Sequence, residues 1–380
     1  MKIKVLNDLH DLGSAQWNHV LHEVSPFLRH EFLAAMESYG CVGRQWGWLP
    51  QHIAMFHESG ELLGAVPMYI KLNSYGELVF DWAWAEAYQR AGLVYYPKLV
   101  IGVPYTPVTG SRLLVSRDAD YATVANELIA FCLDYAKKLQ VSSVHWLFPT
   151  MLELALLESH GFKARMACQF HWENQGYHSF DDFLSRLSSR KRKKIKSERQ
   201  QVWDQQITFR QLSGDEAIES DWRSMEYFYR NTFISKGGFA TFNLEFFKNI
   251  GHKMGQQIVL IFAEQAGKDI AGAFFFRDSQ RLYGRYWGTT VEMKGLHFET
   301  CYYQGIEYAI QHGLQVFEPG AQGEHKISRG FLPTATWSAH WIADPRFRVA
   351  IDQFIEQEVP MMEKYCDELS ATSPYRRVGN

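Results

Sequence analysis

The chain has 380 residues and a formal net charge of −3, with 46% hydrophobic and 15% aromatic residues. This composition is typical of a folded globular protein and excludes an intrinsically disordered one. At about 150 residues per domain, the length predicts two or three domains. Because the total charge is small, a strongly charged segment would be expected to serve a local partner.

The cysteines and the N-terminal residues predict a reducing compartment. Five cysteines are spread along the chain without a C-x-x-C pair, which argues against a disulfide framework and against a zinc site. The first residues lack the apolar stretch of a signal peptide, and no apolar run approaches the roughly 20 residues that span a bilayer. We therefore expect a cytoplasmic protein without a transmembrane segment, which could contact the inner membrane face peripherally.

The first half of the chain predicts a hairpin, a helix and a strand, in that order. Residues 52–71, HIAMFHESGELLGAVPMYIK, place two apolar runs around a Gly-containing turn, which is a β-hairpin signal. Residues 121–140 carry Val124, Leu128 and Phe131 at helical spacing and lead into the strand-like VSSVHWLFP.

The second half repeats this order. Residues 258–277, IVLIFAEQAGKDIAGAFFFR, again read as two apolar runs around a Gly turn. TCYYQGIEYAIQHG places Tyr302, Ile306 and Ile310 on one helical face, Gly313 fits a helix stop, and the strand-like LQVFEPG follows. Two related α/β domains explain this long-period pattern better than a solenoid, whose period would be shorter and more regular.

Residues 80–110 are rich in Trp and Tyr and lie between the first hairpin and its helix. Trp82 and Trp84 are candidates for stacking on a substrate, although the alternative is an aromatic-rich core. The uncharged GVPYTPVTG that follows offers Tyr105 and Thr106 as hydroxyl groups that could line a cleft. Its alternative reading is a tight crossover loop.

A basic stretch separates the two halves. Eight of the 39 basic residues, but only one of the 42 acidic residues, lie within positions 186–199. Ser179 is a plausible helix N-cap with Asp182 three residues on, and Phe183 and Leu187 share one helical face. We expect a helix docked by this face that continues into an exposed basic arm. The candidate phosphate- or anion-binding residues are Arg190, Lys191, Arg192, Lys193, Lys194 and Lys196.

The partner of the basic arm is left open by the sequence. Several Lys and Arg side chains could neutralise the phosphates of tRNA in a salt-sensitive manner. They could equally contact the anionic surface of a membrane. A solvated helix that only tethers two domains is the alternative.

Residues 318–333, EPGAQGEHKISRGFLP, are the main candidate for chemistry. Glycines and prolines mark a loop after a predicted strand and before another, TATWSAHWI, and charged groups at such a position suit an active site. A surface loop with solvated charges is the alternative. The charged candidates in this stretch are Glu318, Glu324, His325, Lys326 and Arg329.

Several common catalytic motifs are absent from the sequence. The chain contains no G-x-x-x-x-G-K-[ST], no H-E-x-x-H, no G-x-S-x-G, and no G-x-G-x-x-G after a strand. Its histidine pairs lack metal-ligand spacing with a third partner. We therefore expect neither a P-loop nucleotidase nor a metal site.

Five long motifs resemble a predicted N-acyltransferase family related to the FemAB group. They are FDWAWAEAYQRAGLVYYPKL, GVPYTPVTG, LSSRKRKKIKSER, YWGTTVEMKGLHFETCYYQGIEYAIQHG and EPGAQGEHKISRGFLPTATWSAHWI, and they occur in order over most of residues 50–345. The resemblance implies an α/β fold of two tandem GNAT-like (acyl-CoA N-acyltransferase-like) domains, each a mixed sheet flanked by helices. Tyr286 and Trp287, in the fourth motif, join the substrate-binding candidates.

The resemblance also implies a reaction. FemAB enzymes transfer an aminoacyl group from aminoacyl-tRNA to an amine of a peptidoglycan precursor, and the Lys after their Gly-rich loop lies at the reacting centre. The matching position is Lys326, which would stabilise the oxyanion or the leaving group. His325, Glu324 or Glu318 would act as base or orienting group.

One stretch departs from the GNAT pattern. GNAT enzymes carry [QR]-x-x-G-x-[GA] before their third helix to cradle the CoA pyrophosphate, whereas TTVEMKGLHFE has a single glycine, Gly295. This weakens acetyl-CoA as the donor. We expect no tightly bound cofactor and an acyl donor that is either aminoacyl-tRNA or an acyl thioester such as acyl-CoA.

The sequence thus predicts four segments and two functions. The segments are an N-terminal GNAT-like domain (1–178), a basic helical arm (179–206), a C-terminal GNAT-like domain (207–344) and a helical tail that packs back on the body (345–380). The first function is an N-acyltransferase that acts on an amine, with a peptidoglycan or other cell-envelope precursor as the acceptor. The alternative is a non-catalytic module that recognises glycan or nucleic acid.

Overall fold

The computed structural model describes residues 1–22, 25–321 and 323–376. The strands are β1 (Lys2–Leu6), β2 (Trp48–Pro50), β3 (His52–Phe56), β4 (Leu62–Val66), β5 (Met68–Lys71), β6 (Lys98–Ile101), β7 (Leu114–Val115), β8 (Ser143–Leu147), β9 (Lys163–Glu173), β10 (Thr208–Ser213), β11 (Ile258–Gln265), β12 (Lys268–Arg277), β13 (Arg281–Thr289), β14 (Val316–Glu318) and β15 (Leu332–Ile342).

Helices lie between groups of these strands along the chain. They are α1 (Ser14–His19), α2 (His30–Ser38), α3 (Trp82–Arg90), α4 (Tyr121–Leu139), α5 (Met151–Ser159), α6 (Phe180–Arg186), α7 (Ser189–Trp203), α8 (Glu219–Ser235), α9 (Leu244–Met254), α10 (Leu296–Phe298), α11 (Gln304–Gln311) and α12 (Pro345–Ser370). A π-helical turn, Glu299–Tyr303, joins α10 to α11. Short 3₁₀ turns add Leu9–Asp11, Pro26–Leu28, Gly255–Gln257 and Glu324–Arg329.

The chain divides into two compact units. Unit 1 contains Met1–Ala167 and Ala335–Lys364, and unit 2 contains Cys168–Thr334 and the C-terminal residues from Tyr365. These ranges do not coincide with the predicted segments. The first break falls at Ala167 rather than at 178, the basic stretch lies within unit 2, and most of α12 belongs to unit 1.

Unit 1 contains two sets of paired strands, and both contribute side chains to its larger apolar core. β1, β3, β4 and β7 form an antiparallel sheet, while β15, β8, β6, β5 and β2 follow one another in a mixed arrangement in which β6 and β8 are parallel. The core packs one face of α4 against these strands, because Val124, Leu128 and Cys132 are all buried among the strand side chains. This is the helical face that the apolar spacing predicted.

The strands of unit 2 follow one another in a single row. β10, β11, β12 and β13 are antiparallel neighbours, and β14 is then parallel to β13 and antiparallel to β9. Ile306 and Ile310 of α11 are buried against the strand side chains of the unit 2 core, as the apolar pattern predicted. Gly288 allows β13 to approach α8, because a Cβ there would lie 2.0 Å from the carbonyl oxygen of Phe228.

The two units share the predicted order of elements. In unit 1 an antiparallel hairpin precedes the parallel pair β6–β8, which α4 connects, and in unit 2 the hairpin β11–β12 precedes the parallel pair β13–β14, which α10 and α11 connect. An α/β fold of two GNAT-like domains with mixed sheets is therefore confirmed. Most of the predicted helical tail forms α12, which buries Ile351 and Ile355 but leaves Phe354 exposed.

The basic stretch is more ordered than its polar sequence indicates. Ser179 caps α6 by accepting a hydrogen bond from the Asp182 amide, as predicted. The helix does not continue as expected, because the backbone is extended at Leu187, and a second helix, α7, carries the basic run from Ser189 onward. Arg199 holds α7 in place, because its buried guanidinium donates to Glu299 and Glu307 at 2.9–3.2 Å. A helix that is almost polar all round is thus anchored by an ion pair and a few apolar contacts.

None of the described helices combines the length and the apolar composition needed to cross a bilayer.

Replacing Arg199 with Met tests this anchor. The change leaves the Glu299 carboxylate buried without its cation, and we expect the free energy of unfolding to fall by about 3–5 kcal/mol in urea titrations. Lys196→Met is the matched control, since Lys196 lies on the same helix but forms its ion pair with Asp181 in solvent and should change stability little. Equal stability of the two variants would contradict the anchoring role.

Candidate functional site

The site predicted from the Gly-rich stretch lies where two parallel strands of unit 2 part. β13 pairs with β14 only from Arg281 to Tyr283, although β13 continues to Thr289. β14 ends at Glu318, and the chain then turns away through Pro319 and Gly320. The segment after this turn is a 3₁₀ helix, Glu324–Arg329. Polar groups are thereby gathered at a strand end, where α/β folds commonly place ligand sites.

Glycines fix both ends of this short helix. Gly323 has φ of +116° and Gly330 has φ of +98°, a region that residues with a Cβ rarely adopt. At Gly330 a Cβ would also lie 2.8 Å from the ring of Phe183. The glycines of the motif thus allow the backbone to turn sharply at both ends of the segment that carries His325 and Lys326.

Lys326 is buried, and none of the described acidic residues pairs with it. Its side-chain amine donates a 2.6 Å hydrogen bond to the carbonyl oxygen of Gly320, and among the described residues no carboxylate lies within salt-bridge distance of it. Burial lowers the pKa of Lys326 to about 7. The amine therefore exchanges a proton near neutral pH, which suits acid–base work better than a permanently charged lysine would.

His325 lies in an aromatic cluster beside Lys326. Its Nε2 is 3.1 Å from the hydroxyl of Tyr302, which the π-helical turn presents. The ring of His297 connects this pair to Trp287, with centroids 4.7 Å apart. Burial, followed by the charges of Arg329 and Lys326, lowers the pKa of His325, so its imidazole is neutral at pH 7 and can accept a proton.

A cavity of about 530 Å³ opens beside His325. Its lining residues are Cys168, Phe170, Ala321, Gly323, Glu324, His325 and Tyr365. Glu324 is held at the wall by Tyr365, whose hydroxyl donates to it at 2.6 Å. The cavity has the size of a small-molecule site and an imidazole and a carboxylate in its wall.

Arg329 connects this segment to the basic helix α7. Its guanidinium lies 3.4 Å from the ring centroid of Phe298 and donates to both carboxylate oxygens of Glu198 at 2.9 and 3.0 Å. Glu198 also accepts a hydrogen bond from Tyr303. Burial and the positive charges of Arg190, Lys194 and Arg329 lower the pKa of Lys191, so cations of α7 lie within electrostatic reach of the site.

Glu318 has a set of partners separate from those of Lys326. Its buried carboxylate accepts a 2.7 Å hydrogen bond from Arg281 and lies 3.8 Å from His171 Nε2. Burial outweighs the neighbouring Arg281 charge and raises the pKa of Glu318 to about 7. Neither Glu318 nor Lys326 is among the residues that line the cavity, and the role of Glu318 as base or orienting group stays a prediction.

The predicted anion-binding residues all lie on α7. Arg190, Lys193, Lys194 and Lys196 are exposed, whereas Lys191 and Arg192 are half-buried. Of the exposed set, Lys194 lies 3.8 Å from Glu198 and Lys196 pairs with Asp181. A run of cations therefore faces solvent from a helix attached to the site, and its role stays a prediction.

The remaining candidates divide between the units. Tyr286 packs against Tyr229 and Phe242 in unit 2, and Trp287 belongs to the aromatic cluster of His325. The four candidates in unit 1 are Trp82, which is partly exposed, and Trp84, Tyr105 and Thr106, which have packing or backbone partners. Their substrate-binding roles stay predictions.

The sequence did not single out two groups that shape the site. Tyr302 was assigned only to an apolar helix face, and the inserted residue of the π-helical turn could not be read from periodicity. Glu198 was counted as one acid within a basic run. Its isolation among cations was the one signal in the sequence that Glu198 has a specific partner.

Two groups of side chains could in principle hold a metal ion, both in unit 1. Among the described residues, Asp8, His10 and Glu37 form one group and His19, Glu61 and Asp118 form the other. Both consist mainly of exposed groups.

Comparison with solved structures gives the same fold. A crystal structure of FemX matches with a TM-score of 0.56 and 12% identity over 93% of this chain and 100% of that chain. The structure of L-PGS from Bacillus licheniformis matches with a TM-score of 0.51 and 10% identity, over 88% of this chain and 98% of that chain. At such identities the similarity shows a shared fold.

The fold and site therefore define a protein built of two GNAT-like domains with a polar site at the parted strands of the second. The FemAB-like family model, described as peptidoglycan biosynthesis/recognition, matches residues 8–377. The chain belongs to this FemAB-like family. A search of curated proteins found no match to the sequence.

The buried state of Lys326 predicts a specific pH dependence of stability. Its pKa is about 7 in the folded chain and 10.5 when unperturbed, so between these values the unfolded chain binds more protons. The contribution of Lys326 to the free energy of unfolding therefore falls as the pH is lowered from about 10.5 to 7. Below pH 7 it stays constant. Lys326→Met should raise stability by roughly 1–2 kcal/mol at pH 7 and by less near pH 10, measured by urea titration.

Lys98→Met is the opposing control. Lys98 is buried between Glu77 and Asp81, which raise its pKa despite burial. Its loss should lower stability at pH 7. A Lys326→Met effect that is destabilising, or that does not change with pH, would contradict an unpaired buried amine.

Proposed function

We propose that this protein is an N-acyltransferase of the aminoacyltransferase type, which transfers an aminoacyl group to an amine of a cell-envelope precursor. The observation that carries the proposal is the burial of the Lys326 amine, which has no acidic partner in the described part of the chain and adjoins the cavity-lining residue His325. Membership of the FemAB-like family supports an acceptor related to peptidoglycan. Buried groups with strongly shifted pKa values are typical of catalytic sites.

The proposed reaction forms an amide and breaks an ester. The acceptor amine, after loss of its ammonium proton, attacks the carbonyl carbon of the aminoacyl ester to give a tetrahedral oxyanion. His325 accepts the proton that the attacking nitrogen releases, since its imidazole is neutral and lines the cavity. Lys326, in its ammonium form, stabilises the oxyanion and donates a proton to the leaving ribose oxygen when the carbon–oxygen bond breaks.

Two features favour aminoacyl-tRNA over an acyl thioester as the donor. The first is α7, whose exposed cations suit a phosphate backbone and whose Glu198–Arg329 pair attaches it to the site. The second is Gly295, at the position where GNAT enzymes cradle a pyrophosphate. A Cβ on Gly295 would lie 3.4 Å from the Glu198 carbonyl oxygen and from Val202, so α7 packs against this helix start. A pyrophosphate there would compete with α7 for the same space.

The cellular location follows from the donor and acceptor. Charged tRNA and the nucleotide- or lipid-linked precursors of the cell wall meet in the cytoplasm, so we infer that the protein works there. Contact with an anionic membrane surface is an alternative use of α7.

A second candidate function is recognition without turnover. The family description itself includes recognition as well as biosynthesis. In that case the cavity and the aromatic cluster would bind glycan or nucleic acid, and substitutions at Lys326 would alter affinity alone.

Lys326→Met should reduce aminoacyl transfer by at least a hundredfold, because both oxyanion stabilisation and leaving-group protonation depend on this amine. The assay follows radiolabelled amino acids from bulk charged tRNA into peptidoglycan precursors, with donor at saturation. Lys71→Met is the matched control, since Lys71 of unit 1 is also buried with its pKa lowered to about 7. Full activity of Lys326→Met would refute the assignment, and no turnover by the native chain would favour recognition.

Binding of bulk aminoacylated tRNA across a salt series tests the donor. Changing Arg190, Lys193, Lys194 and Lys196 to Ala should flatten the slope of log affinity against log salt by about three units. The control variant removes four exposed lysines of unit 1, Lys2, Lys4, Lys137 and Lys138. If the two variants change this slope equally, or if the native chain does not bind tRNA at low salt, the proposal of a tRNA donor is wrong.

A further inference from the structure

Two thiols meet at the wall of the cavity in unit 2. Cys168 lies on β9 and lines the cavity, and Cys366 lies in the last turns of α12. Their thiol groups are hydrogen-bonded to each other, and neither is joined in a disulfide. Both residues belong to unit 2, so this contact lies within one compact unit. We call Cys168 and Cys366 the thiol pair.

Tyr365 connects the thiol pair to the polar groups of the cavity. It precedes Cys366 on α12, lines the cavity together with Cys168, and donates its 2.6 Å hydrogen bond to Glu324. This hydrogen bond raises the pKa of Tyr365 to about 12, and both thiols add to the shift through their charge. The thiol pair therefore lies within electrostatic reach of the cavity wall that carries Glu324 and His325.

The thiol pair differs from a cysteine that only fills a core. Cys132 of unit 1 is fully buried, and burial raises its pKa to about 12. Such a thiol is out of reach of dissolved oxidants and is chemically inert. Cys168 and Cys366 are only half-buried. A partly exposed thiol in contact with a second thiol can be oxidised and then resolved by its neighbour.

The surroundings give the two thiols different parts in such an exchange. Burial, followed by the hydrogen bond and the charge of Cys366, raises the pKa of Cys168 to about 12, so Cys168 is a neutral thiol at pH 7. The attack on an oxidant therefore falls to Cys366. Once the Cys366 sulfur is bonded to the oxidant it carries no charge, and one cause of the raised Cys168 pKa disappears.

We propose that Cys168 and Cys366 form a reversible disulfide that slows this protein under oxidising conditions. The oxidant is a low-molecular-weight disulfide. The Cys366 thiolate attacks one of its sulfurs and releases a small thiolate, which leaves a mixed disulfide on Cys366. Cys168 then loses its proton and attacks the Cys366 sulfur, which releases the second small thiolate. Two protein thiols are oxidised to one disulfide, the small disulfide is reduced to two thiols, and the two protons pass to these thiols.

The disulfide would change the wall of the cavity. Its formation brings the two sulfurs to about 2.05 Å and ties the end of α12, with Tyr365, to β9. The effect on the reaction rests on the proposed function, whereas the disulfide itself does not. Disulfides of cytosolic proteins are commonly transient and redox-sensing, which fits a pair that is reduced at rest.

Peptide mapping tests the disulfide without any substrate. The full chain is incubated with oxidised glutathione, its free thiols are alkylated, and the digest is analysed by mass spectrometry without reduction. We expect one linked pair of peptides, which contain Cys168 and Cys366, two hydrogen atoms lighter than the separate peptides and separated again by dithiothreitol. Cys132→Ala keeps the thiol pair and should give the same link. A lasting glutathione adduct on either cysteine without a link, a link to another cysteine, or no oxidation overturns the proposal.

The aminoacyl transfer assay tests the consequence. Oxidation should reduce transfer by the native chain about tenfold, and dithiothreitol should restore it. Cys366→Ser is the decisive variant, since Cys366 is not among the residues that line the cavity. It should retain transfer and keep it in oxidised glutathione, and unchanged thermal melting shows that it folds. An equal loss of transfer in Cys366→Ser, or a linked native chain with full transfer, overturns the switch. A native chain without transfer activity refutes the proposed function instead, and the peptide map then decides the disulfide alone.

Discussion

The ion pair of Arg199 with Glu299 and Glu307 is the constraint on which the candidate site depends. It holds α7, a helix with few apolar groups of its own, against the helical segment that follows β13. The adjacent Glu198 can then reach Arg329, and Arg329 in turn lies on Phe298 beside His325. A buried ion pair adds little net stability, but it specifies one arrangement, since every other position leaves a charge unpaired.

Two buried lysines show how the surroundings decide the chemistry of one residue type. Lys98 lies between Glu77 and Asp81, and these carboxylates raise its pKa. Among the residues that the structure describes, Lys326 has a carbonyl oxygen as its one hydrogen-bond partner, and burial lowers its pKa to about 7. The first lysine is a permanent cation that anchors a loop, whereas the second can gain and lose a proton at neutral pH.

Much of the fold could be predicted because it is encoded locally. The hairpins, α4 and α11, and the N-cap at Ser179 follow from periodicity and turn residues over short windows. The π-helical turn that presents Tyr302 was not predictable, since one inserted residue leaves no clear periodic signal. The unit boundary at Ala167 also differs from the predicted position, because strands continue through it and no linker composition marks it.

The sequence by itself determined the order of elements, the excess of cations in residues 186–199 and the Gly-bounded segment that carries His325 and Lys326. Only the tertiary structure decided which charges would be paired. Glu318 and Lys326, eight positions apart, acquired separate partners, while Glu198 and Arg329 came together across 131 positions. Pairing and burial depend on contacts between distant segments, and these contacts set the pKa values from which the chemistry of a site follows.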